Sequence, residues 1–378
     1  MNIVVISRGI PSKRDAQWGG FEFDQAKALA NMGHKVIVAS VDTRFRFYWR
    51  SFGLTEGEKN GIKTYNMFFC PTAVSGLLGR KFKEYIMRRQ WLRMVEVIHA
   101  RMEHVDVIYA HYLFNAYYAV QCMQSLHAPV VAMEHWSALN REPIAKEVVR
   151  MADYTYPRLA QLLAVSQPLK ERIQNRFGIP ATVVHNMVGK EFKYTASQPN
   201  KLFTFITVGS LFPVKNHALL VSALAKLNLP QKEWQLIIVG EGKERIPLQA
   251  QIAGAGLSDN IHLVGLKDKQ TIAQLLNSSH VFVLPSRSEN FSVAVLEALA
   301  CGLPVVASIC GGIRECIDDK NGLLFEVDDT DGLAQCLKYM FEHYGNYNRK
   351  AIADDCLARF SPEIIAGQLK DIFETIKS

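Results

Sequence analysis

Short apolar runs alternate along this chain with segments whose apolar positions recur every three to four residues. The first run, residues 2–7, leads through a loop to a helical pattern from about Phe21 to Asn31. Gly33 stops it, and Lys35 to Ser40 form the next strand, which makes a β-α-β unit. Residues 41–80 keep neither period and are expected to be irregular, with an aromatic and basic cluster from Arg44 to Arg50. From about Gly79 to Met102 the period is helical. Met87, Trp91, Val95, Ile98 and Met102 share one side, with Arg89 and Arg93 opposite. Such a stripe either packs on a sheet or meets a membrane surface. Further strands are predicted at 106–111, 129–137 and 162–166, with a short apolar run at 183–187. The polar stretch 195–200, containing Pro199, reads as a linker.

The alternation is more regular in the second half. Strands are predicted at 202–208, 235–239, 261–264, 281–284, 304–307 and 323–326. Helices are predicted at 216–227, 244–255, 268–278, 292–301 and 330–343, and residues 346–378 also read as helical. Strand-helix alternation of this kind implies a parallel sheet with helices on both faces. The expected class is α/β, with two doubly wound, Rossmann-like domains. The first spans 1–190, a linker 191–201 and the second domain 202–355, followed by a C-terminal helical segment 356–378.

Composition narrows the class. With 378 residues, 49% hydrophobic and 21% charged, the chain can bury the cores of two ordinary domains. No window approaches the roughly 20 apolar residues of a membrane span. The chain enters a strand at once, so no signal peptide is expected. Seven scattered cysteines without Cys-x-x-Cys pairs point to reduced thiols and a cytoplasmic setting, not to zinc or a disulfide frame. The net charge of +7 lies mainly in residues 1–190, which suits anionic lipid or a phosphorylated substrate. Nucleic acid is disfavoured, because no recognised module is present.

Candidate chemistry gathers at predicted strand ends, where parallel α/β sheets bind ligands. The densest stretch is Pro285 to Pro304. It has Glu289 in a loop, Ser292 at a helix start, Glu297 just over a turn into that helix, and Gly302-Leu303-Pro304 as a stop signal. Free amides at the helix start suit an anionic or oxygen-rich ligand. The two glutamates either face one crevice or serve separate surfaces. His111 and His135 end two strands, as structural hydrogen-bonders or as ligand contacts. Gly19-Gly20 allows either a tight turn or close backbone approach. No Gly-x-Gly-x-x-Gly follows the first strand, which disfavours a dinucleotide oxidoreductase. Ser166 has no nucleophile-elbow pattern, which disfavours a hydrolase. Lys215, in the loop Gly209 to Asn216, is a point charge suited to phosphate. Gly240 and Gly242, Leu266 and Gly311-Gly312 mark other strand-end turns. Asp329 and Asp331 read as helix-start acids and not as metal ligands, and no metal site is expected.

Glu289 and Glu297, seven apart, with Phe291 after the first and Ala300-Cys-Gly-Leu-Pro-Val-Val306 after the second, resemble the donor site of retaining glycosyltransferases of family 4. The resemblance implies the GT-B fold, with a cleft between the two domains and the last helix crossing back to the first. It implies a metal-independent hexosyltransferase without a cofactor. A UDP- or GDP-linked sugar would be donor, and a glycan or lipid-linked hydroxyl would be acceptor, in surface polysaccharide or glycolipid synthesis. An anionic membrane surface at the inner face would be a further partner.

The resemblance assigns Glu289 and His135 to donor-sugar hydroxyls, Glu297 to the ribose and Leu266 backbone to the base. It assigns Lys215, Gly19, Gly20, Asn290, Phe291 and Ser292 to the phosphates and sugar. Two departures stand out: Ser210 replaces the family's usual arginine, and Met187 replaces the glycine after Asn186. Arg8 and Arg14 are candidate replacements for the missing cation. A sugar-nucleotide epimerase or hydrolase on the same fold, and a non-catalytic nucleotide-sugar binder, remain open alternatives at this point.

Overall fold

The computed structural model describes residues 1–12, 15, 18–44, 50–69, 79–140, 143–196, 199–227 and 229–377. Arg14, most of the cluster at 44–50 and residues 197–198 of the expected linker lie outside the described residues. The chain divides into two compact units, Met1–His185 with Ile365–Ser378, and Asn186–Ile364. The division falls at 185/186, a few residues before the sequence-based boundary at 190. Residues 191–201 therefore belong to the second unit, as do residues 356–364.

The first unit runs β1 (Asn2–Ile6), α1 (Gly20–Asn31), β2 (Lys35–Asp42), β3 (Gly53–Lys59), β4 (Ile62–Phe68), α2 (Arg80–Arg101), β5 (Val107–His111) and α3 (Leu113–Cys122). It continues with β6 (Val130–Glu134), α4 (Lys146–Thr155), β7 (Gln161–Ala164), α5 (Gln167–Phe177) and β8 (Thr182–Val183). The strand order is β3-β4-β2-β1-β5-β6-β7-β8. Every pairing is parallel except β3 with β4. That hairpin corrects the expectation that residues 41–80 are irregular. Strand β3 is an edge strand whose five inner residues are all exposed, so it buries no face and leaves no apolar alternation to read.

On α2 the predicted stripe, Met87, Trp91, Val95, Ile98 and Met102, is buried, and Met94 joins it. The stripe is therefore core and cannot itself meet a membrane. The outward face of the helix instead carries exposed Phe82, Tyr85 and Leu92 among Lys81, Lys83, Arg88, Arg89 and Arg93. Among the described residues no helix is long and apolar enough to cross a membrane.

The second unit runs β9 (Phe203–Val208), α6 (His217–Lys226), β10 (Trp234–Val239), α7 (Arg245–Gly254), β11 (Ile261–Gly265), α8 (Lys269–Ser278) and β12 (Val281–Leu284). It continues with α9 (Val293–Ala300), β13 (Val305–Ser308), β14 (Gly322–Phe325), α10 (Thr330–His343) and α11 (Arg349–Phe360); α12 (Pro362–Lys377) ends the chain. Its sheet is wholly parallel, in the order β11-β10-β9-β12-β13-β14. Phe205, Trp234 and Leu236 pack with Leu220, Leu224 and Leu337 from α6 and α10 beneath it.

The end of α12 belongs to the first unit. Phe373 is fully buried there, 5.3 Å from the Tyr109 ring, and Lys377 pairs with Asp106 at 2.6 Å. Burial alone would raise the Asp106 pKa. Lys377, the Asn2 amide and His104 outweigh that and hold it at about 2, below the ordinary 3.8. A depressed carboxylate stabilises the fold above its unfolded value and loses that contribution as pH falls through the folded one. The melting temperature of the native chain should therefore fall as pH drops from about 4 to about 2. Asp106→Asn should be less stable at neutral pH and show a shallower acid slope, as measured by thermal unfolding across a pH series.

Candidate active site

In the second unit the order of strands reverses at β9. The chain moves to β10 and β11 on one side and then returns to β12 on the other. Loops leaving neighbouring strands at such a point diverge and open a crevice at their carboxyl ends. Lys215 follows β9 and Glu289 follows β12. Their side chains meet at 2.6 Å, 23% and 12% exposed. The two loops are further tied by Arg287, whose side chain donates to the Pro213 carbonyl at 2.8 Å and whose amide donates to the Val214 carbonyl at 2.8 Å. Lys215 also helps to keep the His217 imidazole neutral: burial first, then this ammonium, lowers its pKa to about 4.

The loop after β13 supports the same region. Gly311 has a left-handed φ of 54°, and a Cβ there would lie 1.9 Å from the Glu289 carbonyl oxygen. The neighbouring Gly312 amide donates to the Asn290 carbonyl at 3.0 Å. Phe291 is buried, 5.6 Å from the Phe360 ring, and its carbonyl accepts from Asn186 Nδ2 at 3.0 Å. Its aromatic ring is thus a packing group. Ser292 occupies the N-cap position of α9 but makes no side-chain cap, so it does not satisfy the first-turn amides itself. Glu297 sits half-buried on the second turn of α9. Leu266 is 62% exposed just beyond β11, two strands from β9.

Structure brings Lys215 and Glu289 into contact and sets Asn290, Phe291 and Ser292 on the same loop. Leu266 stands apart at the sheet's edge. Ser210 is exposed. Asp329 caps α10 by accepting from the Gly332 amide at 2.9 Å, and Asp331 pairs with Lys226 at 2.7 Å. Both acids therefore serve the helix start.

In the first unit the order reverses at β1 and β5. Gly19 has φ 75°, and a Cβ there would lie 2.0 Å from the Gly9 carbonyl oxygen, so only glycine fits. Gly20 opens α1 with nothing within 4 Å of where a Cβ would be. Arg8 bonds buried Glu22 at 2.6 Å and lies 4.2 Å from the Tyr112 ring centre. His111 Nδ1 lies 3.1 Å from His135 Nε2. Burial, with help from Arg8, lowers His111 to about 3; burial and the neighbouring His111 lower His135 well below its ordinary value. Both rings are neutral at neutral pH, so one nitrogen of the pair donates and the other accepts.

Sequence reasoning missed what holds this corner. Tyr112 adopts φ 70°, an uncommon conformation for a bulky residue. The Glu134 carboxylate accepts hydrogen bonds from the Leu113, His135 and Trp136 amides and from the Tyr156 hydroxyl, at 2.7–3.1 Å. It thereby fixes both the Tyr112 corner and the turn that carries His135. Burial still pushes its pKa up to about 7, against those four bonds. An acid closing an otherwise apolar strand was the available signal. A second missed feature is a cavity of about 860 Å³ in this unit, walled by Trp18, Tyr112, Phe114, Tyr117, Tyr118 and Trp136.

Two family models match this chain: Glycosyltransferase Family 4 over residues 23–192 and Glycosyl transferases group 1 over residues 190–353. The chain belongs to the GT-B glycosyltransferases of family 4 type. An uncharacterized glycosyltransferase of Methanocaldococcus jannaschii is 28% identical over 240 residues, 62% of this chain and 64% of that protein, so the chain spans under two thirds of it. The N-acetyl-alpha-D-glucosaminyl L-malate synthase of Bacillus anthracis is 26% identical over 373 residues, 92% of this chain and 91% of that one. Among solved structures, sucrose-phosphate synthase from Thermosynechococcus elongatus superposes with a TM-score of 0.80 at 20% identity, covering 99% of this chain and 98% of that one. HepE of Anabaena in complex with UDP-glucose gives 0.76 at 20% identity, covering 99% and 100%. These likenesses establish the GT-B fold of this glycosyltransferase.

The two adjacent glycines make opposite predictions for this transferase. Gly19→Ala should destabilise the first unit by several kcal/mol or fail to fold, through the Gly9 clash. Gly20→Ala should stay within about 1 kcal/mol of the wild type. Chemical denaturation of both variants checks this.

Proposed function

We propose that this protein transfers a hexose from a nucleotide diphosphate donor to an acceptor hydroxyl with retention at the anomeric carbon. The observation that carries this reading is the Lys215–Glu289 pair at the switch point of the second unit, on the loop that leads into α9. A diphosphate needs cations and amide donors; a sugar needs carboxylates and neutral hydrogen-bonding groups. Lys215 would move from Glu289 to the diphosphate, with the amides of Asn290, Phe291 and Ser292 completing its contacts. Glu289, so released, would accept from donor-sugar hydroxyls. Glu297 would accept from the ribose, and the Leu266 backbone would meet the base. In the first unit, Gly19 and Gly20 supply backbone that a phosphate or sugar can approach, and neutral His135 supplies a hydroxyl partner.

The bond from the anomeric carbon to the phosphate oxygen breaks, and a bond to the acceptor oxygen forms on the same face. The leaving phosphate oxygen takes the acceptor proton, so no protein nucleophile is required. The negative charge left on the diphosphate is what Lys215 and the amides stabilise, without a bound metal or cofactor. A UDP-linked donor is favoured by the likeness to a protein solved with UDP-glucose, with GDP as the other candidate. The acceptor is a glycan or lipid-linked hydroxyl in surface polysaccharide or glycolipid synthesis. The exposed aromatic and basic face of α2 suits peripheral attachment to an anionic membrane from the cytoplasmic side. Co-sedimentation with anionic vesicles at low salt should be seen, and should be absent with neutral vesicles.

Lys215→Ala, Glu289→Ala and Glu297→Ala should each keep the fold, as judged by circular dichroism. Each should lose activity on the order of 10²-fold, the cost of one charge-stabilising contact. Donor-dependent release of nucleotide in the presence of an acceptor extract measures this. Full turnover by the Lys215 variant would remove its phosphate role.

A further inference from the structure

The first unit's cavity carries information about the acceptor. Its volume of about 860 Å³ falls in the range of ~300–1,000 Å³ usual for small-molecule sites. Its aromatic walls are rigidly packed: Tyr117 meets Tyr118 edge-on at 5.2 Å, and Phe114 meets Tyr118 at 5.7 Å. Three arginines also line it, and among the described residues each already has a carboxylate. Arg8 bonds Glu22 at 2.6 Å, and Arg44 bonds Asp42 at 2.7 Å. Arg150 bonds Glu147 at 2.6 Å, Glu84, and the Tyr117 hydroxyl at 3.0 Å. Asp42 is shared further with Arg50 at 3.0 Å.

We infer that this cavity receives an uncharged hexopyranoside, the sugar that carries the accepting hydroxyl, and discriminates against phosphorylated sugars. The inference rests on the transferase reading and adds the chemical class of its acceptor. A pyranose offers apolar C–H faces and a rim of hydroxyls. Flat rings cover the faces. Paired guanidinium and carboxylate groups, with phenol hydroxyls, serve the rim, because hydroxyls both donate and accept. A phosphate monoester is different. It brings close to two negative charges and would have to draw a guanidinium from its partners. Arg150 is held at three points, by Glu147, Glu84 and the Tyr117 hydroxyl, and Arg44 shares Asp42 with Arg50. Either exchange therefore breaks a network and not a single contact such as Lys215–Glu289. Among the described residues of the lining, Lys83 is the one lysine, and it is exposed. Burial raises the Tyr112 and Tyr118 phenols, so both hydroxyls stay protonated across the working range.

The test uses the full chain, with saturation-transfer NMR and tryptophan fluorescence. Two of the five tryptophans, Trp18 and Trp136, lie in the cavity wall and contribute a binding-sensitive part of the emission, which the Trp136→Ala variant isolates. The probes are methyl α-D-glucopyranoside, methyl α-D-mannopyranoside, methyl β-D-galactopyranoside, glucose 6-phosphate and inorganic phosphate. At least one methyl glycoside should bind saturably. Its affinity should fall on the order of tenfold in Trp136→Ala and measurably in Tyr118→Phe, which keeps the packing. Neither phosphate probe should compete.

Stronger binding of glucose 6-phosphate that Lys83→Ala abolishes would overturn the inference, as would the failure of every glycoside. Melting shifts with UDP and GDP, read on the same samples, separate the two levels. Nucleotide shifts without glycoside binding defeat the acceptor inference and leave the transferase reading standing. Glycoside binding without any nucleotide shift defeats the transferase reading, and the cavity keeps its ligand class.

Discussion

Parallel pairing is the constraint from which the rest follows. A strand that runs beside its neighbour in the same direction must be reached by a crossover, so every strand of the second unit ends on the same edge of the sheet. Loops from β9, β12 and β13 are thereby stacked side by side without any need for sequence proximity. The reversal of strand order at β9 opens a crevice between the first two, and Lys215 and Glu289 close on each other there. A partly buried ion pair contributes little net stability, because desolvation cancels most of the attraction. Such a pair ties the loops after β9 and β12 together and holds the site in shape. Gly311 shows how tightly the support is built, since even a methyl group would collide with the Glu289 backbone.

The corresponding corner of the first unit is held by a buried acid. Tyr112 carries a positive φ that costs roughly 1–3 kcal/mol and persists only where the surroundings impose it. The Glu134 carboxylate imposes it, through the Leu113 amide, while its other oxygen shapes the turn at His135 and Trp136. His111, His135, Phe21 and Tyr112 then form one aromatic cluster, with ring centres 4.8–6.4 Å apart where they touch. Neutral imidazoles in such a cluster suit hydroxyl groups better than phosphates. Charge is thus divided: a lysine–glutamate pair in one unit, and arginines paired with carboxylates among aromatics in the other.

Much of this was legible before any coordinates. The second sheet's strands and helices lie within a residue or so of their predicted ends, because buried parallel strands are continuous apolar runs bounded by turn residues. The stripe on α2 was legible as a helix face, and of its two readings, packing on the sheet or meeting a membrane, its burial bears out the first. Strand β3 was not legible, since an exposed edge strand has no buried side to mark it. Nor was the link between Lys215 and Glu289, 74 residues apart, because strand order decides it and local pattern does not. The aromatic cavity escaped notice for the same reason: Trp18, Tyr112 and Trp136 come from three loops that only the sheet brings together. Phe291 was visible as part of a motif, yet its ring serves packing against Phe360.

The most direct measurement is calorimetric titration of UDP and of GDP, with a chelator present, into the wild type, Lys215→Ala and Glu289→Gln. If Lys215 is the exchangeable cation, one of the two nucleotides binds the wild type without divalent metal. Glu289→Gln, which frees Lys215 from its carboxylate, then binds that nucleotide at least as tightly, and Lys215→Ala binds it at least about tenfold more weakly, roughly 1.4 kcal/mol. Equal affinity in the wild type and Lys215→Ala, or no binding until a metal is added, would contradict a diphosphate site built on this lysine.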